Sequence, residues 1–218
     1  MTDTSGLTRR AMLAAPLMLA PAVAQAQSLP VVTMLGDSIT SGYGLPASQA
    51  LPAQLQRELA NLGVRALVRG AAVVGSTTAG GLKRVDSIGS DTKVCVVALG
   101  GNDLLNFIAP AQVRANLDAI VRKLKARRID VVLAGLQAPA ELGAYARAFN
   151  GVFPTVAQAH RVTLHNSFLQ GVLLDSRYNQ PDLVHPNALG VQIIARRLAP
   201  VVAKALRSGA AARVSGSR

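Results

Sequence analysis

The chain has 218 residues, half of them apolar, so one domain can bury a sizeable core without disulfides or metal. Its single cysteine, Cys95, lies in an apolar run, which excludes an internal disulfide and suits a buried, inert thiol. Twenty-three basic residues against 11 acidic leave a formal charge of +12, but no aromatic residues interleave with the basic clusters. A nucleic-acid surface is therefore disfavoured against a solvated basic face, with weak contact to anionic envelope surfaces as the residual expectation.

Residues 1–26 read as an export signal: Arg9-Arg10 supplies the charged region, 11–23 the apolar one, and Ala24 and Ala26 the small residues of a cleavage site. The paired arginines match a twin-arginine type, and the apolar segment falls short of the ~20 residues of a membrane span. A bacterial periplasmic or secreted protein is expected, starting near Gln27. Five apolar runs, at 31–35, 64–68, 94–99, 131–134 and 162–164, predict strands, the central ones continuously apolar as strands buried on both faces are. Periodic patterns predict helices over 49–62, 112–127, 144–160 and 188–206. This alternation predicts an α/β domain over residues 27–208, a three-layer α/β/α sandwich around a mostly parallel five-stranded sheet. The small and polar residues 209–218 read as a disordered tail.

In open parallel sheets, functional groups gather beyond the carboxyl ends of the strands. Gly36-Asp37-Ser38-Ile39-Thr40 follows the first run, Gly75 stands in the loop after the second, Gly100-Gly101-Asn102-Asp103 follows the third, and Asp182-Leu183-Val184-His185-Pro186-Asn187 precedes the last helix. Each segment alone reads as a turn or a helix cap. Together, in this order, they supply a hydroxyl nucleophile, a carboxamide, a carboxylate and an imidazole, the parts of a serine hydrolase. Gly-x-Ser-x-Gly is missing, which disfavours the α/β-hydrolase arrangement; no metal-ligand spacing surrounds His160 or His165, and neither His-Glu-x-x-His nor Cys-x-x-Cys occurs, so neither a metal nor another cofactor is expected.

These segments resemble the blocks of the SGNH hydrolase family, also called the GDSL esterases and lipases, over residues 31–198. The subgroup most resembled is the bacterial periplasmic thioesterase I, protease I, lysophospholipase and arylesterase type. The resemblance implies a flavodoxin-like fold and a serine esterase acting through an acyl-enzyme, with Ser38 as nucleophile, His185 as base and Asp182 as its carboxylate partner. It also implies an oxyanion hole from the backbone amides of Ser38 and Gly75 and the side chain of Asn102. Two positions depart from the pattern: Ile39 replaces the family's leucine, and Ser76 stands where close relatives often have aspartate. Leu104, Leu105, Phe107 and Ile108 directly follow this third block and are expected to contact an acyl chain or aryl group, with residues 139–143 as another wall. The expected partner is a small acyl ester or lipid-like molecule, met by a monomer. The alternatives are a carbohydrate O-acetyl esterase of the same fold and a catalytically silent envelope-binding protein. The lack of tryptophan counts against the first, and the joint presence of Ser38, Asn102, Asp182 and His185 against the second.

Overall fold

A computed structural model describes residues 28–166 and 168–215, so the export signal read in residues 1–26 lies outside the described residues. Five strands, β1 (Val31–Gly36), β2 (Leu67–Ala72), β3 (Thr92–Ala98), β4 (Asp130–Ala134) and β5 (Thr163–His165), pair in parallel in the order β2-β1-β3-β4-β5. The chain thus builds outward in one direction from β1, then returns across it to build the other side. A strand-order reversal of this kind opens a crevice at the carboxyl ends of β1 and β3.

Burial explains which strands were legible. β1 is buried throughout, and Val94 to Ala98 of β3 and Val131 to Ala134 of β4 likewise face helices on both sides. Their sequences are accordingly apolar runs. β2 pairs only with β1 and is mostly exposed, so its sequence mixes Arg69 and Gly70 with small residues. The expected strand at 64–68 is therefore corrected to Leu67–Ala72. Val64 stands instead just past the C-cap of the preceding helix, its amide donating to the Leu59 carbonyl.

Seven α-helices and three short 3-10 turns accompany the strands among the described residues, the α-helices being α1 (Ser38–Ser41), α2 (Leu51–Asn61), α3 (Thr78–Arg84), α4 (Gly101–Leu105), α5 (Pro110–Ala126), α6 (Gly143–His160) and α7 (Ala188–Ser215). α2 packs on α7 across one face of the sheet, while α3, α5 and α6 pack in a row across the other. Right-handed crossovers require this division, because β1 to β2 and β3 to β4 progress in opposite directions. The core runs through both interfaces, with Met34, Leu35, Leu133, Phe149 and Phe153 among its fully buried members. α7 extends to Ser215, past the expected end at residue 206, so the tail expected from 209 begins within the helix. Ala210, Ala211 and Ala212 are strong helix formers that carry it on after Gly209.

Candidate active site

Where β1 ends, Asp37 caps the short helix α1: its Oδ1 accepts the Ile39 amide at 3.0 Å, which makes Ser38 the first helical residue. Both residues are buried, and the Ser41 amide and the Tyr43 amide close the turn on the carbonyls of Asp37 and Ser38. This geometry fixes the Ser38 hydroxyl at the carboxyl rim of the sheet.

The opposing loop, just before α7, is organised by its own carboxylate. Asp182 Oδ1 accepts the amides of Val184 and His185, each at 2.9 Å, while Oδ2 lies 2.6 Å from His185 Nδ1. Leu183 takes a left-handed backbone conformation, φ 60°, to bring these groups onto one oxygen pair. The carboxylate sets the proton on Nδ1, so Nε2 presents a lone pair. It lies 3.0 Å from Ser38 Oγ. Ser38, His185 and Asp182, read from distant segments of the sequence, thus form one hydrogen-bonded chain.

Two further residues steady this contact. Gln180 Nε2 donates to the Tyr43 carbonyl at 2.7 Å and to the Pro186 carbonyl at 3.2 Å, tying the histidine loop to the serine loop. The Tyr43 ring lies over the imidazole, with centroids 4.7 Å apart. Neither was legible in the sequence, where Tyr43 and Gln180 stand in turns without periodicity.

Asn102, in the first turn of α4, turns its amide to the Ser76 carbonyl at 3.0 Å and to Asp37 Oδ2 at 3.4 Å. This brings the Gly75 turn beside it, with Gly75 at φ 74°, a conformation that glycine adopts without a Cβ penalty. No hydrogen bond among the described residues uses the amide of Ser38 or of Gly75. The fully buried Asp103 accepts the amide and hydroxyl of Thr78 at 2.8 and 2.6 Å, so it braces the Gly75 turn through α3. The two carboxylates nearest Ser38 and His185 have opposite settings. Burial pushes Asp37 up to about 6, against the lowering effect of its backbone hydrogen bonds and of His185. The amide and ring of His185, with the amide of Val184, hold Asp182 down at about 2.

Beside Ser38 opens an apolar groove of about 390 Å³. Leu104, Leu105 and Phe107 line one side, and Pro139 and Leu142 contribute from the loop after β4. Ile108 is corrected: it packs against the core instead, and its carbonyl accepts the Tyr145 hydroxyl at 3.0 Å. The facing wall, including Phe168, Leu169, Leu173 and Leu174, comes from the irregular segment after β5. Those apolar residues were not assigned from sequence, since a loop wall has neither the strand nor the helix period; their density outside any regular element was the available signal.

A doubly wound sheet with a serine, a histidine and an aspartate joined at its switch point, beside an apolar groove, is an arrangement suited to acyl hydrolysis. Comparison with known proteins agrees: the model of the GDSL-like lipase/acylhydrolase family matches residues 34–193, and the chain belongs to that family. It is 40% identical to esterase TesA of Pseudomonas aeruginosa over 172 residues, covering 78% of this chain and 84% of that protein. It is 31% identical to thioesterase 1/protease 1/lysophospholipase L1 of Escherichia coli over 185 residues, 82% and 88% of the two chains. The crystal structure of TesA superposes with a TM-score of 0.76 at 34% identity, covering 81% of this chain and 99% of that one. AlinE4, an SGNH-hydrolase family esterase, superposes at 0.68 with 39% identity, covering 82% and 97%. The protein is a hydrolase acting on ester bonds.

Proposed function

We propose that the protein is a serine esterase that hydrolyses short to medium acyl esters and thioesters through an acyl-enzyme. The observation that carries this reading is the continuous hydrogen-bonded chain Ser38–His185–Asp182 at the lip of an apolar groove. Ser38 Oγ attacks the carbonyl carbon as His185 Nε2 takes its proton, and the Asp182 carboxylate stabilises the imidazolium. The tetrahedral oxyanion is met by the unengaged amides of Ser38 and Gly75. Asn102 supplies a third donor: its amide nitrogen is bonded to the Ser76 carbonyl at 3.0 Å, and its other hydrogen makes only the long 3.4 Å contact to Asp37, which an oxyanion can replace. The imidazolium then protonates the departing alkoxide or thiolate. Water, deprotonated by the same nitrogen, attacks the acyl-serine; the imidazolium then returns that proton to Ser38 Oγ as the C–O bond breaks and the acid is released.

The groove walls are almost wholly hydrocarbon, which favours an acyl or aryl group over a sugar ring. The Arg9-Arg10 pair, the apolar stretch after it and Ala24-Gln25-Ala26 support export to the periplasm or beyond. The test is hydrolysis of a p-nitrophenyl ester series from acetate to palmitate by the mature chain, with Ser38→Ala and His185→Ala alongside. Loss of about a thousandfold or more in kcat in both variants is expected. Activity that survives Ser38→Ala, or a sharp preference for acetylated sugars, would refute it.

A further inference from the structure

Arg84 closes α3 and sends its guanidinium back across the loop that α3 follows. Nη1 donates to Ser76 Oγ at 2.6 Å, and Nη2 donates to the Gly36 carbonyl at 3.0 Å. Gly36 is the last residue of β1 and leads directly into Asp37-Ser38, while Ser76 adjoins Gly75 and holds the Asn102 amide on its carbonyl. One planar cation therefore spans the strand end that carries the Ser38 amide and the turn that carries the Gly75 amide. Through Ser76 it reaches the third donor as well. We propose that Arg84 is a positioning residue for the oxyanion site: it fixes Gly75 and Asn102 relative to Ser38 without touching substrate. The assignment rests on the esterase reading and deepens it.

The chemistry of the contact explains the residue type. A guanidinium presents donors in a rigid fork, so its two hydrogen bonds set a distance between their acceptors; an ammonium on a flexible stem does not. Both acceptors are neutral oxygens, and the electrostatic counterpart is the nearby Asp37 carboxylate. The cation is thus bonded to both the strand end before Ser38 and the Gly75 turn, and is held to the former by field as well. α3 also makes room for the pair. A Cβ on Gly80 would lie 2.7 Å from Ser76 Oγ and 3.6 Å from Arg84 Nη1. The groove side chains that would hold the acyl group approach from β4, α4 and the segment after β5, and Arg84 is not among them. Its loss should therefore act on the transition state and leave ground-state binding alone.

The experiment is steady-state hydrolysis of p-nitrophenyl acetate and p-nitrophenyl octanoate by wild type, Arg84→Gln, Arg84→Lys, Ser76→Ala and the Ser76→Ala/Arg84→Gln pair. Arg84→Gln should lower kcat about tenfold to a hundredfold on both esters with KM within about twofold, since a displacement of about 1 Å at an oxyanion donor has effects of that order. Arg84→Lys should recover only part of the loss. Ser76→Ala should lower kcat about threefold or more, and the double variant should be no worse than Arg84→Gln, because the two side chains act through one contact. Unchanged kcat in Arg84→Gln, or a loss confined to KM and graded with chain length, overturns the assignment. Should Arg84→Gln fail to fold by circular dichroism, Ser76→Ala decides alone, and an unchanged kcat there overturns it equally. Wild type without Ser38-dependent hydrolysis would sink the esterase reading and the assignment together; an active wild type indifferent to Arg84 sinks only the assignment.

Discussion

Asp37 and Asp182 flank the Ser38–His185 contact with opposite electrostatic settings, and the difference is measurable. Asp37 is raised to about 6 from 3.8, so the fold prefers its neutral form. Its contribution to stability is fully present below pH 4 and is lost as pH rises through about 6, an effect of at most about 3 kcal/mol. Asp182 is lowered to about 2, so its contribution is present above pH 4 and is lost only as pH falls through about 2. The windows do not overlap. Urea midpoints measured between pH 4 and 7 should fall for wild type and stay level for Asp37→Asn, which is neutral throughout. A parallel fall in the variant would mean that another group titrates there. Asp182→Asn should lower kcat about a thousandfold with little change in KM, because the ring would lose both its orientation and its stabilising charge. Equal kcat in that variant would remove Asp182 from the mechanism.

Between residues and molecule, the elements decide how well these groups are held. The histidine loop leans on the first turn of α7, where a Cβ on Gly190 would lie 2.1 Å from the Tyr178 carbonyl oxygen. Gly190→Ala should displace that loop, lower stability by about 1–3 kcal/mol and reduce kcat through the Ser38–His185 distance. Activity and thermal midpoint equal to wild type would show that the loop yields without consequence. Much of this framework was legible from sequence, and the reasons are specific. β1, β3 and β4 are buried on both faces and therefore announce themselves as apolar runs. α5 and α6 are long enough to show their period. β2 was placed too early because an exposed edge strand needs no apolar run. α3 has too few residues to show a helical period, and its Gly80 and Gly81 are poor helix formers, one of which leaves space for a side-chain contact. Ser38, Asn102, Asp182 and His185 could be named from sequence, but Tyr43, Gln180 and the groove wall after β5 could not.

At the scale of the molecule, an aromatic ladder links the groove to the core. Phe107, half outside at the groove, touches Tyr145, which stacks on Phe149, which meets Phe153 edge-on beneath the Gly100 turn. Phe149 is fully buried, and Phe149→Ala should lower unfolding stability by about 3–5 kcal/mol in denaturant titration. A change under about 1 kcal/mol would show that the ladder repacks. Asp182 and His185, meanwhile, occupy one loop and hold each other through bonds of that loop alone, and Ser38 Oγ and the Tyr43 carbonyl are its hydrogen-bonded moorings to the serine side. Asp182 and His185 therefore dock or depart as a unit. A loop excursion would leave an isolated serine on one shore and an intact imidazole–carboxylate pair on the other, so the site behaves as a plug and socket.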